Sequence, residues 1–116
     1  MSISKKILII AGEESGDMYG ANIIQKLSKN RNITFYAMGS SKMKMTNAKI
    51  IVDSSKLSVV GFFEILRIYP KLLNALIKIK KSVDEIKPDL IVLIDYQEFN
   101  FKIAKYAKSK GIKVLF

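Results

Sequence analysis

Two short stretches hold half of the acidic residues: Glu13, Glu14 and Asp17 in one, Asp95 and Glu98 in the other, against ten acids in all. Acids placed at random would be spread along the helices. Gathered into two loops, they describe a carboxylate-lined place where a hydroxyl could lose a proton. The remaining chemical options are few, because the 116 residues include no histidine and no cysteine. Ser-His and Cys-His relays, imidazole bases, thiolate nucleophiles and the common zinc sites are thereby excluded. A disulfide frame is excluded too, which leaves the cytoplasm a permissible compartment. Chemistry here rests on carboxylates, hydroxyls, amines or backbone amides.

The first loop reads Gly12-Glu-Glu-Ser-Gly-Asp17 and follows the apolar run Lys6–Ala11. Two glycines allow a tight turn and close backbone approach, and Ser15 or Asp17 can cap a following helix. The spacing is neither G-x-G-x-x-G nor a P-loop, and adjacent glutamates would repel a diphosphate. A glycine turn with a helix cap is therefore a complete alternative to a binding role. In the second loop, Asp95 ends the apolar run Leu90–Asp95 (LIVLID). A carboxylate there is expected to be partly desolvated and aimed into a crevice, which makes it a competent base for a hydroxyl. It could equally cap the next helix. Glu98 and Asn100 carry the same two readings, with capping favoured for Asn100.

The elements that must hold these loops follow from periodicity. Lys6–Ala11, Leu90–Asp95 and Ile112–Phe116 are buried strands by their branched apolar residues, and Ile33–Met38 and Lys49–Val52 are weaker ones. Helical spacing takes over from Ser15 through Met18, Ala21, Ile24 and Leu27, from Phe62 to about Ile86, and from about Phe99 to Lys108. Pro70 is expected to kink or divide the long helix. Lys-Pro-Asp at 87–89 breaks the chain just ahead of a strand. The order β-α-β-(short α)-β-long α-β-α-β predicts an α/β fold, a Rossmann-like doubly wound parallel sheet in the order 3-2-1-4-5. In such a sheet the loops after strands 1 and 4 face each other across the switch-point crevice, where ligands bind. The sequence stops inside its last expected strand, so a single, incomplete domain is expected.

Composition bounds the partners. A chain with 49% apolar residues can bury a core, and 20 basic residues against 10 acids leave a formal charge of +10. The first apolar run is too short for a signal-peptide core, and no stretch has the ~18 apolar residues of a spanning helix. The long helix sets Phe62, Phe63, Leu66 and Tyr69 beside Arg67 and Lys71. That pattern suits either a core helix with solvated lysines or an interfacial helix on anionic lipid. Nucleic acid is disfavoured, since no binding motif for it appears and the acids sit where a ligand should.

Several segments also resemble one family. Ala11-Gly-Glu-Glu-Ser-Gly-Asp-Met-Tyr-Gly-Ala21 is similar to the A-G-E-x-S-G-D-x-x-G-A motif of lipid-A-disaccharide synthases. Leu57-Ser-Val-Val-Gly61 with Glu64-Ile-Leu resembles their L-x-V-M-G-x-x-E-V-L segment, and Lys87 to Asn100 resembles K-P-D…I-D-A-P-D-F-N. Gly39 and Met43 match parts of a G-G-P-x-M loop. The matches keep the family's order over essentially the whole chain. The resemblance implies the partial amino-terminal domain of a GT-B glycosyltransferase, with the carboxy-terminal UDP-sugar domain absent or on a complementing chain. It implies transfer of diacylglucosamine from its UDP derivative to the 6-hydroxyl of diacylglucosamine 1-phosphate, at the cytoplasmic face of the inner membrane, without metal or cofactor. The catalytic carboxylate falls on Asp95. Glu13, Ser15, Gly16, Asp17, Glu98 and Asn100 fall on the acceptor side, and the chain alone is expected to be inactive. An inactive gene remnant or a peripheral lipid-binding module is the alternative. The chain departs from the pattern at Tyr96-Gln97, where the family has Ala-Pro, and at Glu98, Val60, Ser40 and Ser41. The bulkier Tyr-Gln pair is expected to alter the path of the loop after Asp95.

Overall fold

Each apolar run becomes a strand: β1 Lys5–Ala11, β2 Ile33–Gly39, β3 Lys49–Asp53, β4 Leu90–Ile94 and β5 Lys113–Leu115. The structure, a computed structural model, describes residues 4–30, 32–57 and 62–116, without the side chains of 56 and 62–67. All four strand pairings are parallel, and the sheet order is β3-β2-β1-β4-β5, as the alternation of elements predicts. The helices are α1 Glu14–Leu27, the short α2 Ser41–Lys44, α3 Phe62–Ile86 and α4 Gln97–Ser109, with a 3-10 turn at Ser54–Leu57.

Strand side chains alternate between two cores rather than between core and solvent. Leu8, Ile10, Ile91 and Leu93 pack with Ala75, Ile79 and Val83 of α3 and with Phe99, Ile103 and Ala107 of α4. On the other face, Ile9, Ala11, Phe35, Ala37 and Val92 meet Ala21 and Ile24 of α1 and Met43 of α2. Central strands covered on both faces need continuous apolar runs, which is why no polar alternation marks them. Each fully buried aliphatic side chain contributes roughly 1.5–3 kcal/mol relative to exposure.

The Lys-Pro-Asp segment sets the register of β4. Lys87 takes a left-handed conformation (φ 53°) as α3 ends. The Asp89 carboxylate then accepts the Lys6 N–H (2.8 Å), and the Asp89 N–H donates to the Lys6 carbonyl (2.8 Å). This pair ties the start of β4 beside β1. At the far edge, the ammonium of Lys44 and the donors of Ser55 hold the Asp53 carboxyl down to about 2.

Two expectations need correction. Pro70 does not divide α3, which runs unbroken through it. The proline is exposed, so the backbone bond it removes can be replaced by water. Nor does the last helix begin near Phe99; α4 starts at Gln97 and takes Glu98 into its first turn. Among the described residues, no helix is long and apolar enough to cross a membrane.

Candidate functional site

Ala11 and Ile94 are register partners at the carboxyl ends of β1 and β4, so the two acidic loops leave the sheet side by side. The second loop makes an abrupt turn. Asp95 (φ 50°) and Tyr96 (φ 54°) both occupy the left-handed region that favours glycine. Tyr96 turns its ring onto Gly12, where an added Cβ would lie 2.3 Å from the ring carbons. The same ring packs against Phe99, with centroids 5.5 Å apart. Burial first, and then the Glu13 carboxylate, push the Tyr96 phenol above the usual tyrosine range.

A cavity of about 590 Å³ opens beside this turn. Its apolar wall comes from Ile68, Leu72, Leu73 and Leu76 of α3 together with Phe99 of α4. Its polar wall carries Glu13, Asp95, Gln97, Glu98 and Lys102, with Tyr96 between the two. The result is a trough that joins apolar side chains, most of them from α3, to carboxylates of the two loops and the start of α4. It can take an amphiphile whose hydroxyl-bearing end meets acids and whose hydrocarbon meets leucines.

The acids and neighbours expected at the site separate into two groups. Glu13, Asp95 and Glu98 come together on the cavity wall, and Tyr69 lies on its apolar rim. Asp95 is exposed, so the expected desolvation is not present; the left-handed turn carries it beyond the strand end. Glu14, Ser15 and Lys71 are exposed and off that wall. The side chains of Phe62, Phe63, Leu66 and Arg67 lie outside the described residues, as do Val60 and Gly61.

Gly16, Asp17 and Asn100 are buried as scaffold instead. A Cβ on Gly16 would lie 3.1 Å from Ala11 Cβ and 3.2 Å from Ile94 Cγ2, so the glycine brings α1 close onto the sheet. Asp17 is 1% exposed, and its carboxylate accepts the N–H groups of Ser40 (2.7 Å), Lys42 (2.8 Å) and Met43 (3.2 Å). It caps α2 rather than its own helix; α1 begins after Glu13 with no side-chain cap. Asn100 is fully buried within α4, and its Nδ2 donates to the Ile94 carbonyl (3.3 Å) and, more closely, to that of Asp95. It thus holds the left-handed turn from inside, where a cap would have accepted from the helix start.

Sequence reasoning missed the α3 wall of the cavity, Lys102 and the packing role of Tyr96. A signal for the wall existed: Ile68, Leu72 and Leu76 recur every four residues, one face of a helix.

An open parallel sheet wound on both faces, with its ligand crevice at the reversal of strand order, has the Rossmann-like half-domain architecture of GT-B glycosyltransferases. A glycotransferase of kitacinnamycin superposes with a TM-score of 0.67 at 15% identity, covering 98% of this chain and 30% of that one. A UDP-GlcNAc 2-epimerase from Neisseria meningitidis, solved bound to UDP-GlcNAc, gives 0.64 at 16%, covering 94% and 31%. Those likenesses define the fold; sequence defines the family. The family model described as lipid-A-disaccharide synthetase matches residues 7–116, and the chain belongs to that family. It is 38% identical over 113 residues to a lipid-A-disaccharide synthase of Trichlorobacter lovleyi and 41% identical over 114 residues to one of Coxiella burnetii. Each alignment covers 97% of this chain, and the chain spans about 30% of the length of these relatives.

Proposed function

We propose that the chain is the amino-terminal, acceptor-side part of a lipid-A-disaccharide synthase. It positions diacylglucosamine 1-phosphate so that its 6-hydroxyl receives a diacylglucosamine unit from the UDP derivative. The observation that carries this reading is the trough joining the α3 leucines to Glu13, Asp95 and Glu98. The acceptor's acyl chains lie on the leucine wall and its sugar meets the carboxylates. Asp95 takes the proton of the 6-hydroxyl as that oxygen bonds to the anomeric carbon of the donor. The bond from that carbon to the UDP oxygen breaks from the opposite face, and UDP leaves with the electron pair. A second, carboxy-terminal domain supplies the UDP-sugar site, so the 116 residues alone transfer no sugar.

The test is a graft. Residues 1–116 replace the matching segment of the Coxiella burnetii relative, and transfer to diacylglucosamine 1-phosphate is measured. The graft is expected to release UDP and form the disaccharide, while the chain alone does neither. A folded graft that binds both substrates and forms no disaccharide would count against the assignment.

The enzyme works as a peripheral protein on the cytoplasmic face of the inner membrane. Exposed Tyr69 and Leu73, which also border the cavity, and Ile77 recur every four residues on α3 and form an apolar stripe continued by Lys80 and Lys81. Sedimentation with anionic vesicles at low salt is expected to capture the chain. Leu73→Asp with Ile77→Asp is expected to reduce capture at least roughly tenfold, since each change removes buried hydrocarbon and adds a repelled charge. Equal capture of the double variant would exclude the stripe as the contact.

A further inference from the structure

We infer that Lys102 is the residue that reads the acceptor's anionic end and thereby sets the direction in which the acceptor lies in the trough. This rests on the acceptor-side reading above. Three acids, Glu13, Asp95 and Glu98, line the polar wall, and Lys102 is the one cation on it among the described residues. The charges are ordered along α4. Glu98 stands in the first turn and Lys102 one turn further on. Asp95 precedes the start of α4 at Gln97, and Lys102 lies about 7.5 Å along the helix axis from Gln97. A phosphorylated sugar ring spans a distance of that order from its 6-hydroxyl to its 1-phosphate.

Electrostatics makes the two directions unequal. With the phosphate toward Asp95, a dianion would face three carboxylates across a short gap. With the phosphate toward Lys102, it meets an ammonium, and the 6-hydroxyl is delivered to Asp95. Lys102 makes no ion pair with Glu98 or any other described residue, so its ammonium is available to a ligand. The α3 leucines that line the same cavity remain for the hydrocarbon. A phosphate at a solvent-accessible lysine contributes modestly, so the effect is one of preference: roughly fivefold in affinity.

The experiment compares two ligands on the 116-residue chain, folded by circular dichroism: diacylglucosamine 1-phosphate and the same lipid with a free 1-hydroxyl, each in neutral detergent micelles. The chain is expected to bind the phosphorylated lipid roughly fivefold more tightly. Lys102→Gln should erase that difference without weakening the free lipid, Lys102→Arg should retain most of it, and raised salt should shrink it. Equal affinities for the two lipids in the parent chain, or an unchanged preference in Lys102→Gln, would overturn the role of Lys102 and leave the trough as the acceptor site. Failure of the folded chain to bind either lipid would overturn both readings. Leu72→Asp, which charges the apolar wall, should weaken both lipids alike; if it does not, the lipids bind elsewhere and the inference falls.

Discussion

Asp95→Asn in the Coxiella burnetii graft is expected to lower turnover by about 10²–10⁴-fold, the range lost with a general base, while leaving both folding and acceptor binding in place. The choice of asparagine matters. Asp95 sits at φ 50°, a conformation that asparagine tolerates better than almost any residue except glycine. The amide keeps the shape of the carboxylate, removes its charge and cannot take the proton. Asp95→Ala would mix loss of the base with left-handed strain on an alanine, and would not separate chemistry from structure. Glu98→Gln is the matched control: it changes the charge on the same wall, away from the strand end. Glu98→Gln should keep turnover within roughly tenfold of the parent. If Asp95→Asn did the same, with the acceptor still bound, Asp95 would not be the base.

Asp17→Ala is expected to cost roughly 3–5 kcal/mol of folding stability, seen as a large fall in the urea midpoint of the chain by circular dichroism. The substitution strips the partner from three backbone N–H groups at the start of α2. It also opens space beneath Gly39, where an added Cβ would lie 2.9 Å from Asp17 Oδ1. Against a total stability of about 5–15 kcal/mol, a loss of that size leaves a substantial unfolded fraction at the low end of the range. Asp17→Asn should lose less, about 1–3 kcal/mol, because one oxygen remains while the amide meets at least one N–H donor to donor. The expected effect of the substitution is therefore on the amount of folded protein. A stable Asp17→Ala variant with weakened acceptor binding would return Asp17 to the ligand.

Strand order, element types and the position of the crevice were legible because they depend on local apolar period and on the handedness of crossovers. The pairing of Ala11 with Ile94, which brings Glu13 and Asp95 to one place, follows from that order alone. The roles of Asp17 and Asn100 were not legible. A carboxylate two residues after the helix-opening Ser15 looks like a local cap, yet its donors lie 23 to 26 residues away in the chain. Nothing in the spacing distinguishes an acid that faces solvent from one that faces another loop. The cavity's apolar wall was half visible: the long helix was marked as amphipathic, but which stripe meets the sheet and which lines the trough depends on how α3 is rotated. Pro70 was misleading for a related reason, since its effect depends on whether the lost bond faces water or core.

The left-handed turn after Asp95 also constrains how this loop could be altered. A proline at position 97 would drive the residue before it toward extended backbone, away from the φ of 54° at Tyr96. Gln97 permits that conformation, and the conformation lays the Tyr96 ring on Gly12, where even a methyl group has no room. Tyr96 and Gln97 are therefore coupled, with a dependence on Gly12. Gln97→Pro beside an intact Tyr96 is expected to strain the loop, and replacing Tyr96 together with Gln97 is expected to relieve its contact with Gly12.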